Sequence, residues 1–200
     1  PSEKIAREML REIFLTIQNK REGMIVTTFS SHIARLKSIV EFGKKLNREI
    51  VFLGRSLDKY STAAKNIHAA PFLNNIKISK YRRQVEKTLH KVERHRKDYL
   101  IVCTGHQGEP GSILDRLSRH QLPFKITKED NLIFSSSVIP TPINLEQFEG
   151  MENRLKKHHP RIFRDAHVSG HGSGIDLRDL IQLLSPKHVI PSHGDISKTK

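Results

Sequence analysis

Apolar positions along this chain change period repeatedly, and the changes mark out its elements. In "SEKIAREMLREIFLTIQ", Ile5, Met9, Ile13 and Ile17 recur at i, i+4 spacing, which predicts an amphipathic helix with Ser2 as its N-cap. "MIVTT" reads as a short buried strand, and "SHIARLKSIVEFGKKL" returns to helical spacing through Ile33, Leu36, Ile39, Val40 and Leu46. "EIVFLG" predicts the next strand, with a helix over "RSLDKYSTAAKNIHAA". A looser stretch, "PFLNNIKIS", leads into a basic helix, "KYRRQVEKTLHKVERHRK". Then come the strand "YLIVCTG", a helix from "GSILDRLSRH", the strand "NLIFSSS" and the proline-rich turn "VIPTPIN", the best candidate for a boundary. A polar helix, "LEQFEGMENRLKKHH", follows, and the chain closes with "RIFRDAHVSGHG", the helix "DLRDLIQLL" and the strand "HVIPSHG".

These strands are apolar along their whole length instead of alternating, as expected when helices cover both faces of a sheet. The pattern predicts an α/β fold with a mainly parallel sheet flanked by helices. Open sheets of that kind bind ligands beyond the carboxyl ends of their strands. The segments picked out are "TTFSS", "LGRS", "CTGHQGEP", "FSSSVIP" and "HVSGHGS", rich in glycine and hydroxyl residues that let backbone amides approach an anion. In "TGHQGEP", Gly105 and Gly108 would open a concavity before a helix starting near Ser112, with Glu109 placed to orient donors. An ordinary strand-to-helix turn explains the same glycines. In "TTFSSHIARL", Ser30 and Ser31 precede a helix with Arg35 one turn inside, and Ser30 could equally be a simple N-cap.

Composition then narrows the partners. A net charge of +14 and a pI near 10.1 point to a polyanion, most simply nucleic acid. The cations Arg82, Arg83, Lys87, Lys91, Arg94 and Arg96, moderated by Glu86 and Glu93, read as solvated surface, and "KKHH" belongs to the same class. Cys103 is the single cysteine, which excludes a disulfide framework or cysteine-rich zinc module and suggests reducing cytoplasm. No apolar run approaches the ~20 residues of a membrane helix, and no signal peptide opens the chain, so no membrane partner is expected. A start at Pro1, without methionine, suggests a piece of something longer.

The histidines carry the candidate chemistry. Gly170, Gly172 and Gly174 make "HVSGHGSG" a poor helix interior, so His167 and His171 are expected on a loop. His193 closes an apolar run and precedes Gly194 and Asp195. Histidine in such places serves as ligand, acid or base.

Taken in order, "TGHQGEP", "FSSSVIP", "HVSGHGS" and "IPSHGD" resemble the β-CASP ribonucleases, and among them the ribonuclease J branch of archaeal type, over essentially the whole chain. His106 replaces that branch's usual serine, and in "TTFSSHIARL" His32 replaces the asparagine of the F-A-S-N-x-x-R segment, where a serine also stands for the alanine. The resemblance implies a β-CASP domain over residues 1–159 and the first part of a returning metallo-β-lactamase segment over 160–200. The H-x-H-x-D-H half of the zinc site is not found in this sequence, so the resemblance makes it a piece of an enzyme, inactive and without its zinc when alone.

By the same resemblance His193 is a ligand to one of two zinc ions, and His171 stabilises charge and assists proton transfer at the scissile phosphate. His167, Val168, Ser169, Gly170 and His171 contact RNA, as do Ser30, Ser31, Arg35, Gly105, Gln107, Gly108, Glu109 and Ser136. The implied activity is 5′-to-3′ hydrolysis of 5′-monophosphorylated single-stranded RNA, with internal cleavage in some members, by a homodimeric whole protein. The competing readings are a non-catalytic RNA-binding module and a polyadenylation-factor-like endoribonuclease.

Overall fold

The computed structural model describes residues 3–17, 22–168 and 174–190. The chain divides into two compact units, residues 2–168 and, with Pro1, residues 169–200. The first unit is built on β1 (Met24–Thr27), β2 (Glu49–Leu53), β3 (Lys77–Ser79), β4 (Tyr99–Cys103), β5 (Asn131–Phe134) and β6 (Arg161–Phe163). They form one sheet in the order β3-β2-β4-β1-β5-β6, and every pairing is parallel.

Six helices cover it: α1 (Glu3–Thr16), α2 (Ile33–Lys45), α3 (Arg55–Asn66), α4 (Arg82–Arg94), α5 (Ile113–Ser118) and α6 (Pro142–Lys156). Side chains alternate across the pleat, so one strand feeds two cores. Met24, Val26, Ile50, Phe52, Leu100 and Val102 pack with α1, α2 and α3. Ile25, Val51, Leu53, Ile101 and Cys103 pack with α4, α5 and α6. Burial on both faces is the reason the strands read as continuous apolar runs.

Several expectations shift by small amounts. The buried stripe of α1 is Ala6, Leu10 and Phe14, while Ile5 and Met9 are exposed. This helix is apolar on two neighbouring stripes, and contact with α2, where Phe14 meets the Phe42 ring at 5.7 Å, selects between them. The N-cap expected at Ser2 lies outside the described residues. The proline-rich turn is no boundary: Thr141 caps α6, its hydroxyl accepting from the Asn144 amide at 3.3 Å, and Pro142 occupies the first turn. Both sides of it belong to one unit. β3 and β6 were not read from the sequence, because three residues carry no period. In the second unit α7 (Gly174–Leu184) exposes Leu177, Leu180 and Leu183. The strand expected over "HVIPSHG" is not formed at residues 188–190, and its remainder lies outside the described residues.

At the amino ends of the strands a closed polar lattice seals the sheet. The Asp130 carboxylate, 1% exposed, accepts from the amides of Gly23 and Thr127 at 2.9 and 2.8 Å. It also pairs with the Arg96 guanidinium at 2.8 Å. Arg48 donates to the carbonyls of Glu22 and Tyr99 at 2.8 and 2.9 Å. Buried polar groups at this end hold the three central strands in register.

Candidate nucleic-acid interface

The strand order places a crevice at the opposite end. The chain leaves β1 toward α2 on one face and leaves β4 toward α5 on the other, although β1 and β4 are neighbours. Two loops diverging from adjacent strands leave a gap between them, the standard position for a ligand in such sheets. Here it is a groove of about 820 Å³. Phe29, Ser30 and Ser31 line it from β1, Arg55 from α3, Lys80 and Tyr81 from the end of β3, and residues from Thr104 to Ser112 from β4.

Local structure decides what each loop offers. His32, not Ser30, caps α2: its Nδ1 accepts from the Arg35 amide at 3.2 Å. Ser30 and Ser31 are thereby left to the groove. The β4 loop is internally bonded. The Gln107 amide donates to the Glu109 carboxylate at 3.0 Å, the Gly111 amide to Asp115 at 2.9 Å, and the Gly108 amide to the Gly105 carbonyl at 3.1 Å. The cradle of amides expected there is filled by the loop's own acceptors.

The loop's glycines answer to packing and conformation. Gly105 and Gly108 have φ of +119° and +76°. A Cβ on Gly108 would collide with the backbone of Gln147 and Phe148 in α6. Gln107 ties this loop to the one after β5: its amide nitrogen donates to the Ser137 carbonyl at 2.9 Å, and its oxygen accepts from the Ile139 amide at 2.7 Å. "TGHQGEP" and "FSSSVIP" therefore meet.

Arg35, 0% exposed, faces inward. Its guanidinium donates to both Glu3 carboxylate oxygens at 2.8 and 2.9 Å, to the Ser135 hydroxyl at 2.7 Å and to the Ala166 carbonyl at 2.7 Å. It clamps α1, β5 and the segment leading to His167 together, so it acts on the site by positioning.

His106 is the opposite case. It is 5% exposed, it lines the groove, and among the described residues neither ring nitrogen has a partner. Its ring meets Phe29 edge-on at 4.0 Å, and His167 stands 6.2 Å from the same Phe29. Burial holds the His106 imidazole below its ordinary pKa, against the pull of Glu109 and with a further lowering from His167. Burial, with Arg35 and His32 nearby, lowers His167 as well, and Glu3 opposes them. A neutral imidazole presents one donor and one acceptor, and neither is paired among the described residues. The His167 Nδ1 and the Ser136 hydroxyl are likewise buried without partners. Cys103, buried under the loop, is pushed up to about 12 and is no nucleophile.

Around this floor stand the cations Arg55, Lys80, Arg82 and Arg116 and the half-exposed rings of Tyr60 and Tyr81. Cations that track a backbone beside rings that stack on bases suit a single-stranded nucleic acid. Among the described residues Glu109 is the one carboxylate lining the groove. Of the residues named from the sequence, Ser30, Ser31, Gln107 and Glu109 line the groove. Gly105, Gly108, Arg35 and Ser136 are buried beside it, and His167 and Val168 are half-buried. Ser169, Gly170, His171 and His193 lie outside the described residues. Sequence reasoning missed His106, Arg55, Tyr60, Tyr81 and Arg116, although "LGRS" had already marked the neighbourhood of Arg55. Among the described residues no group of three or more histidines, cysteines or carboxylates could hold a metal ion. No described helix is long and apolar enough to cross a membrane.

A doubly wound parallel sheet with a cationic groove at its switch point defines an α/β domain with a candidate anion-binding crevice. Residues 21–155 match the family model of the ribonuclease J β-CASP domain, and residues 159–200 match that of the Zn-dependent metallo-hydrolase RNA specificity domain. The chain belongs to the ribonuclease J family, a family of metallo-hydrolase nucleases. It is similar to the ribonuclease J of Methanocaldococcus jannaschii, with 42% identity over all of this chain and 45% of that protein. It is also similar to that of Pyrococcus abyssi, with 40% identity over 98% of this chain and 43% of that protein. The Thermus thermophilus ribonuclease J is 32% identical over 94% of this chain and 32% of its own length. The chain thus spans less than half the length of these relatives.

Proposed function

We propose that this chain is the RNA-gripping portion of a zinc-dependent ribonuclease that degrades 5′-monophosphorylated single-stranded RNA from its 5′ end. The observation that carries the reading is the strand-end groove, where unpartnered His106 lies under a rim of cations and exposed tyrosines. Such a groove fits a phosphate backbone with unstacked bases. Ser30, Ser31, Gln107 and Glu109 would contact the strand directly. Gly105, Gly108, Ser136 and Arg35 would shape the walls that hold it, and His167, Val168, Ser169, Gly170 and His171 would also contact RNA.

On this reading residues 1–159 form the β-CASP domain and residues 160–200 begin the returning metallo-β-lactamase segment. His171 stabilises charge at the scissile phosphate, and His193 is one of the ligands of a zinc site completed by residues outside this chain. The whole protein would be a cytoplasmic homodimer, with internal cleavage as a secondary activity.

The test uses the intact protein and matched single-stranded RNAs bearing a 5′-monophosphate or a 5′-hydroxyl, labelled at the 3′ end. Progressive shortening of the monophosphorylated strand is expected, with slower loss of the other. His171→Ala should slow it by about 10²- to 10⁴-fold, the scale of an acid–base group, and leave metal content near that of the wild type. His193→Ala should lose metal. Equal rates on both strands would remove the 5′-phosphate reading, and equal metal loss in both variants would remove the assignment of roles.

A further inference from the structure

The basic helix α4 has a face that the groove does not use. α4 buries Val85, Thr88, Leu89 and Val92 in the core. Arg83, Lys87, His90 and Arg94 are all exposed. Their spacing puts them on one stripe of the helix, and at 1.5 Å per residue the stripe runs roughly 16 Å.

Two carboxylates on α4 would be expected to neutralise it, and neither does. Glu86 is taken by Arg82 at 2.8 Å and Arg116 at 4.0 Å. Glu93 is taken by Arg96 at 2.6 Å. Among the described residues no carboxylate pairs with Arg83, Lys87 or Arg94. Like charges at this spacing destabilise a helix, and within this face only Glu86, already paired with Arg82, interacts with a stripe residue, His90.

The stripe begins on the same helix end that borders the groove. Tyr81 and Arg82, at the start of α4, line the groove, and Arg83 lies one residue further on. The stripe itself has no aromatic or aliphatic side chain to anchor a folded protein partner. Cations repeated at about one helical turn, without apolar anchors, suit a flexible polyanion whose affinity comes from its backbone charge.

We propose that the outer face of α4 is a second RNA-binding surface, a track that takes the backbone of the strand where it extends beyond the groove. This rests on the reading of the groove as an RNA site, and it adds a length dependence that the groove alone does not produce. Short strands occupy the groove only. Longer strands reach the track, gaining affinity and salt sensitivity.

The test is the variant Arg83→Glu, Lys87→Glu, Arg94→Glu in the intact protein, with circular dichroism and thermal unfolding to establish that the fold persists. Binding is measured for a single-stranded RNA of about 4 nucleotides, the low end of single-strand site sizes, and for one several-fold longer. The expected result is unchanged binding of the short strand and a loss of about tenfold or more for the long one. The log–log salt slope for the long strand should flatten by about 2, three phosphate contacts at ~0.7 each. Unchanged affinity and slope for the long strand would overturn the track. So would polyglutamate of equal charge competing as well as RNA. If the wild type fails to bind the short strand while the variant loses the long one, the track stands and the groove reading falls.

Discussion

At the amino ends of the strands, Asp130 gathers two backbone amides and a guanidinium around one buried carboxylate. At the carboxyl ends, His106 is buried almost as deeply with both nitrogens bare, and Ser136 and His167 have unpartnered atoms close by in the same loops. One exception stands at the amino end, the Asn131 side-chain oxygen, whose own amide nitrogen donates to Glu22 at 2.5 Å. Leaving a buried polar group unpaired costs stability. One end of the sheet therefore holds it together, while the other carries the groove proposed as an RNA site. Arg35 shows that depth alone does not decide this. It lies at the open end, yet its donors are spent on Glu3, Ser135 and Ala166, and it stiffens the wall.

The comparison breaks most visibly at Asp130. Asp130→Ala strips partners from Arg96 and two amides and should destabilise the fold by about 3–5 kcal/mol, the scale for breaking a buried pair. Urea unfolding measures it, and RNA affinity measured where the variant is still folded should change little. A loss below 1 kcal/mol, or a selective loss of RNA binding, would mean the two ends do not divide the work in this way.

His106→Leu should move in the opposite direction. An apolar side chain of similar reach keeps the contact with Phe29 and removes two unsatisfied nitrogens, raising stability by about 1 kcal/mol. RNA affinity should fall about tenfold, one hydrogen bond to a charged partner. A destabilised variant that binds RNA normally would assign His106 to the core.

The smallest effect sharpens the same contrast through pH. Burial holds His106 and His167 below the ordinary histidine value of 6.5. As pH falls, the unfolded chain therefore takes up protons before the folded one, and stability rises with pH across that window. Stability should be full above about pH 6.5 and decline as pH drops from there toward the folded-state values. In His106→Leu the decline should be shallower. Parallel curves of unfolding free energy against pH for the two proteins would show that His106 carries none of it.

Much of the fold was legible because burial on two faces leaves a mark that needs no partner to be seen. "MIVT", "EIVFL", "YLIVC" and "NLIF" stand out as apolar runs, and the segments after all four contribute to the groove. The short edge strands at "KIS" and "RIF" were invisible, since an edge strand is defined by the neighbour it pairs with. In α1, Ile13 and the following Ile17 pack as predicted, while Ile5 and Met9 give way to Ala6 and Leu10 for a related reason. Two adjacent apolar stripes are equivalent until α2 covers one of them.

The site divides along the same line. The residue types at the strand ends, the glycines of "TGHQGEP" and the basic excess were properties of the chain itself, and they sufficed to point to the groove at the carboxyl ends of the parallel strands. Which polar groups remain unsatisfied was not. Glu109 and Asp115 fill the amides of the β4 loop, His32 relieves Ser30 of capping, Glu3 turns Arg35 inward, and no donor reaches His106. Periodicity records whether a side chain is buried, because burial acts on each residue through its own hydrophobicity. Satisfaction of a hydrogen bond depends on a second atom, often a hundred residues away, and only the folded chain brings that atom within reach.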